Sequence, residues 1–210
     1  MSALNKALEW VTKVAYLNLL WIVFSVLGFI IFSLFPATAA TFSVTRKWIT
    51  GSTDISLFKT FWQAYRQSIL QANIIGYIVL ILGYILYLDF LFITVVQNDY
   101  LLLLTIPFLF VTILVTLTSL YLFPVYAHYD MKVLQVMKSA FFIMIINPLQ
   151  TIVMVLGVFA ILFGVWHFQW LGLFFSMSLV ALSISMPAQK AFRNIEEKKN
   201  YIVKKTMLND

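Results

Sequence analysis

The stretch VAYLNLLWIVFSVLGFIIFSLF, residues 14–35, decides the class of this protein, because it runs 22 residues without one charged side chain. As a helix rising about 1.5 Å per residue it is long enough to cross hydrocarbon roughly 30 Å thick. A cleavable signal peptide has a similar opening, and here Lys6 and Lys13 precede the run while Ala37-Thr38-Ala39 follows it. The apolar core of such a peptide is only about 7 to 15 residues, so 14–35 reads as a span that stays in the protein.

Four more apolar stretches follow, at 74–96, 100–126, 140–166 and 170–187. They are continuous rather than alternating, which indicates helices and not barrel strands. The whole chain agrees: of 210 residues 62% are hydrophobic and 10% charged, and the mean hydropathy is +0.96. Soluble domains hold about 45 to 50% apolar residues. The expected fold is therefore all-α, a polytopic transmembrane helical bundle of five spans with cytoplasmic amphipathic helices. A single transmembrane domain covers 1–190, and 191–210 forms a basic cytoplasmic tail. The absence of cysteine excludes disulfides, thiolate catalysis and zinc–thiolate sites.

Charge placement predicts orientation. Twelve of the fourteen Lys and Arg fall in three segments, 36–73, 127–139 and the tail, which a five-span chain puts on one side. Positively charged loops stay in the cytoplasm, so the C-terminus is expected inside and the N-terminus outside, with Lys6 and Lys13 as the exceptions. A helix lying in the interface over residues 1–13 is the alternative for those two lysines. Trp166 and Trp170 flank the short outer turn, as an interfacial aromatic belt requires.

The inner segments 37–49, 56–71 and 128–138 read as amphipathic. In the second, Phe58, Phe61, Trp62, Tyr65 and Ile69 recur at helical spacing, with Lys59, Gln63, Arg66 and Gln67 off that stripe. Ser56 is the expected N-cap of this helix, and Gly51 the expected end of the one before it. Phe35, Pro36, Arg46, Lys47, Phe58, Phe61, Trp62 and Tyr65 form a candidate cytoplasmic docking surface; an interfacial helix covering the bundle would use the same stripe. Prolines 36, 124 and 187 end the first, third and fifth stretches, so each span is expected to bend there into a surface helix.

Within the spans, Asp89, Thr112, Thr116, Asn147 and Gln150 are the candidate polar path of a small-solute permease. His128 and His167 belong to opposite sides and cannot share a metal ion. No nucleophile motif, phosphate loop or carboxylate pair is present, so no enzyme activity and no cofactor are expected. The lysine-rich tail suits anionic lipid at the inner face, each cation contributing about 1 kcal/mol. It is too short to be a folded nucleic-acid reader.

The blocks Leu17-Asn18-Leu19-Leu20-Trp21, Phe35-Pro36-Ala37-Thr38-Ala39-Ala40, Arg46-Lys47-Trp48 and Phe58-Lys59-Thr60-Phe61-Trp62 resemble the YesL family of bacterial integral membrane proteins. Phe123-Pro124 and Lys138-Ser139-Ala140 resemble it more loosely. The resemblance implies a bacterial plasma membrane and an association with carbohydrate uptake, beside ATP-driven sugar importers and their sensors as possible partner subunits. It brings no catalytic or substrate residues. The functional expectation is an accessory or regulatory membrane subunit, the alternative being a permease acting on its own.

Overall fold

The computed structural model describes residues 3–95 and 101–207, and every regular element among them is a helix. The order is α1 (Ala3–Leu27), α2 (Leu34–Ile49), α3 (Leu57–Val95), α4 (Leu101–His128), α5 (Val133–Ile146), α6 (Pro148–His167) and α7 (Gln169–Met207). Five of these, α1, α3, α4, α6 and α7, are long and apolar enough to cross a membrane. Gln97, Asn98 and Asp99, between the second and third apolar stretches, lie outside the described residues.

The boundaries differ from the sequence reading in instructive ways. The first apolar stretch is not one rod: α1 stops at Leu27, the chain turns through 28–33, and Pro36 falls in the first turn of α2. Proline fits there because its missing N–H has no intrahelical acceptor at a helix start. Segment 56–71 is not a separate surface helix but the first part of the 39-residue α3. The helices α4 and α7 run on through Pro124 and Pro187, so neither span ends there and the tail continues α7. Segment 128–138 contains a connector and the start of α5. The fourth stretch is divided at Asn147-Pro148 into α5 and α6. Ser56 does precede α3, and Gly51 follows α2 with φ at +100°, a conformation glycine adopts without steric cost.

Segment 37–49 departs furthest from expectation. Instead of lying on the surface, α2 is a central helix, packed against α1, α3, α4 and α7. Its sequence explains this: Ala37, Ala39, Ala40, Thr41, Val44 and Thr45 are buried, and such small side chains let neighbouring backbones approach closely. Its threonines bond to carbonyls of their own helix, Thr41 to Ala37 at 2.9 Å and Thr45 to Phe42 at 3.0 Å, so their hydroxyls carry no desolvation penalty.

Registered contacts give the directions. The helices α1 and α2 are antiparallel: Trp10 meets Trp48 edge-on at 5.4 Å, and the Trp21 indole donates to Thr38 Oγ1 at 3.1 Å. The helix α2 runs alongside α4 in the same sense, with Phe42 stacked on Phe123 at 5.9 Å and Arg46 reaching the Ala127 carbonyl. The start of α1 therefore shares an end of the bundle with the connector 50–56, and Lys13 Nζ donates to the Thr53 carbonyl at 3.2 Å. The sequence reading placed those two segments on opposite sides. The turn at 28–33 removes the discrepancy, because it reverses the chain once more and brings Lys6 and Lys13 to the end that carries the other twelve cations.

A second attachment holds α1 to α7. Asn18, fully buried, donates to the Leu173 carbonyl at 2.8 Å and accepts from the amides of Met177 at 2.9 Å and Ser178 at 3.3 Å. In an α-helix the 177 amide and the 173 carbonyl are partners across one turn. One side-chain amide thus occupies both ends of a rung of α7.

Candidate functional site at the cation-bearing end

The last turn of α2, the first half of α3 and the end of α4 enclose a cleft of about 780 Å³. Its α3 wall is built by periodicity: Thr60, Gln63, Gln67 and Gln71 recur every three or four residues and so line one face. The α2 wall supplies Ser43, Arg46 and Lys47, and the α4 end supplies the run from Tyr126 to Met131.

Arg46 is the fixed point. Its Nη1 donates to the Ala127 carbonyl at 2.6 Å. That carbonyl lies in the last turn of α4, where a helix leaves acceptors unpaired and its dipole favours a cation. Lys47 next to it is exposed. Asp130 is the one carboxylate lining the cleft, against two cations, so the local charge is positive. Burial pushes the Tyr129 phenol above its usual range, the Glu196 carboxylate adds to this and Arg46 opposes it. Tyr129 is therefore a neutral hydroxyl at physiological pH. His128 ties this wall to α7, with Nδ1 3.3 Å from the Gln189 amide, Nε2 3.8 Å from Glu196, and its ring 4.6 Å from Phe192.

The residues assigned from sequence to a docking surface separate into two groups. Arg46 and Lys47 line the cleft. Phe61 and Pro36 are buried, and Phe35 packs on Tyr77 at 5.6 Å. The aromatic stripe of α3 already has a partner within the chain, since the Phe24 ring of α1 lies 5.2 to 6.2 Å from Phe58, Phe61, Trp62 and Tyr65. Phe58 and Trp62 keep an exposed edge, with the Arg66 guanidinium 5.7 Å over the Trp62 ring.

The five residues of the candidate intramembrane path are not brought together. Asp89 and Thr116 are exposed on α3 and α4. Thr112 bonds to Phe108 of its own helix at 2.9 Å. Asn147 bonds back to Ile143 at 3.1 Å, and Gln150 is buried at the head of α6. Among the described residues no hydrogen bond joins any two of the five. The polar groups that do converge are the glutamines of α3: the sequence places Gln63 and Gln67 only off the aromatic stripe and singles out no role for Gln71, although their spacing was the available signal.

Comparison with known proteins places the chain. It is 36% identical over 198 residues to "Uncharacterized protein YesL" of Bacillus subtilis, covering 94% of this chain and 93% of that one. The chain belongs to the YesL family. Two further B. subtilis proteins resemble this YesL-family chain, each also described as uncharacterized: YteU, 34% identical over 179 residues with 82% and 78% covered, and YesV, 30% identical over 194 residues with 92% and 93% covered. Residues 14–90 match the family described as a protein of unknown function, DUF624. That region comprises most of α1, all of α2 and most of α3, two of the three walls of the cleft included. No solved structure matches.

Proposed function

We propose that the chain is a non-catalytic accessory or regulatory subunit of the bacterial plasma membrane. Its cation-bearing end faces the cytoplasm, and its cleft receives an acidic segment of a partner membrane subunit. The observation that supports this reading is the contrast between two sets of polar residues. Those a permease would need inside the bilayer are dispersed, whereas Arg46, Lys47, Gln63, Gln67 and Gln71 converge at one end. A site of fixed cations and amide side chains suits carboxylates, each cation–carboxylate hydrogen bond being roughly twice as strong as a neutral one. The partner would belong to a carbohydrate importer or sensor, which is what the YesL resemblance implies.

The test is gentle crosslinking in the native membrane followed by affinity purification of the full chain. An importer or sensor subunit is expected to be co-recovered, and the yield to fall at least about tenfold with Lys47→Gln, the loss of one charge-assisted contact. Lys47 is exposed, so that variant leaves the fold unchanged. Recovery of the chain alone, together with solute flux in liposomes containing only this protein, would overturn the proposal in favour of a permease.

A further inference from the structure

The bundle has two helical hairpins whose turns differ in kind. The α6–α7 turn is His167-Phe168-Gln169 between the exposed indoles of Trp166 and Trp170, with polar His167 and Gln169 on either side of an exposed Phe168. The α1–α2 turn is Gly28-Phe29-Ile30-Ile31-Phe32-Ser33, in which Phe29, Ile30, Ile31 and Phe32 are 82%, 57%, 64% and 65% exposed. Four consecutive large apolar side chains facing outward do not suit a turn that ends in water.

Helix length separates α2 from α7 as well. From Lys190 back to Gln169, α7 rises about 32 Å, enough for hydrocarbon roughly 30 Å thick. From Lys47 back to Leu34, α2 rises only about 20 Å, roughly 10 Å less than that thickness.

The decisive observation is the backbone of the turn. Each carbonyl from 29 to 32 has a donor: Phe32 N–H for Phe29, Ser33 and Leu34 N–H for Ile30, the Tyr77 hydroxyl for Ile31 at 2.7 Å, and the Asn73 amide for Phe32 at 2.8 Å. A turn in water has no need of side chains from another helix to satisfy its carbonyls. A turn in hydrocarbon does, because non-helical backbone at that depth is tolerated only where protein supplies the missing bonds.

We infer that α1 and α2 form a re-entrant hairpin. Both its ends lie on the cation-bearing side, its tip is surrounded by lipid acyl chains within the bilayer, and α3, α4, α6 and α7 are the four complete spans. The α1–α2 tip is thus an interaction surface whose partner is the bilayer interior. The topology is relative and does not depend on which side is the cytoplasm.

The natural absence of cysteine makes the test direct. Single variants Asn5→Cys, Phe29→Cys, Gln169→Cys and Asn200→Cys of the full chain would be exposed to a membrane-impermeant maleimide in intact and in permeabilised cells. Asn5→Cys and Asn200→Cys are expected to respond alike and opposite to Gln169→Cys. Phe29→Cys should stay unlabelled from both faces until the protein is denatured, and a nitroxide on it should collide with oxygen in preference to a water-soluble nickel chelate. Ile31→Cys gives the same reading if Phe29→Cys does not fold. Opposite behaviour at 5 and 200, or labelling of the tip from the side of residue 169, would overturn the hairpin. Labelling of both 5 and 200 in intact cells would reverse the orientation in the proposed function and leave the hairpin standing.

Discussion

The two hairpins of this molecule solve one problem by different means. The α6–α7 pair packs closely, with a Cβ at Gly157 placed 3.2 Å from that of Ser183, and presents apolar flanks to lipid. Its turn can leave backbone groups to water. The α1–α2 pair is instead tied to its neighbours by polar side chains: Asn18 to α7, Asn73 and Tyr77 of α3 to the turn, and Thr45 to Ser185 of α7 at 3.2 Å. It also carries positive φ at Phe29 and Ile30, 55° and 25°, a conformation such residues rarely adopt. The difference shows what a turn that does not reach the far aqueous face requires: donors from other helices and neighbours that hold a strained turn.

The most severe way to break this arrangement is at Asn18. Asn18→Asp keeps the shape, removes the donor to Leu173 and places a carboxylate against that carbonyl. A buried charge left without a partner costs about 3 to 5 kcal/mol, so unfolding in detergent micelles should be correspondingly easier. Asn18→Leu should cost less, about 1 to 3 kcal/mol, because it removes the side-chain hydrogen bonds without burying a charge. If the two variants were equally mild, the amide would not be bridging the rung.

Next in size is a direct comparison of depth. A lysine at the centre of a membrane span costs about 2.5 to 3.5 kcal/mol, while an exposed substitution elsewhere stays within about 0.5 kcal/mol. Ile31→Lys should therefore destabilise the protein in bicelles strongly and Gln169→Lys hardly at all. Equal effects would place both turns in water.

The same comparison marks what the sequence could reveal. Apolar length identified the helices that can span, and local chemistry identified Ser56 and Gly51, whereas the division of the fourth stretch at Asn147-Pro148 lies inside one continuous apolar run. The turn at 28–33 escaped because Phe29 to Phe32 are as apolar as the helices around them, so hydropathy runs straight through it. Gly28, where a Cβ would collide with the Ser33 side chain, was the local mark of a reversal. The burial of α2 escaped for the opposite reason: its alanines and threonines read as weakly apolar, although small residues are what a crowded helix in lipid needs. At the candidate site Arg46 and Lys47 were legible as basic residues at an inner helix end. The glutamine face of α3 and the end of α4 were legible only separately, because long-range packing brings them together. The aromatic stripe, expected from sequence as a docking surface or an interfacial cover, packs on Phe24 of the same chain.

The mildest variant isolates the argument about the turn best. Tyr77→Phe removes one oxygen and retains the ring that packs on Phe35. If the Ile31 carbonyl sits in hydrocarbon, no water replaces the lost donor, and the unsatisfied acceptor should cost about 1 to 2 kcal/mol. His167→Phe is the matched control at the far turn, where the ring nitrogen lies 3.3 Å from the Phe163 carbonyl and both groups are exposed. Water can take that place, so the control should cost close to nothing. The pair is read by thermal unfolding in bicelles and then in a detergent whose micelle admits water to the tip. The Tyr77→Phe penalty should shrink in the second medium while His167→Phe stays unchanged. A penalty for Tyr77→Phe that is the same in both media would mean that the Ile31 carbonyl is already hydrated, and the first hairpin would then end in water like the second.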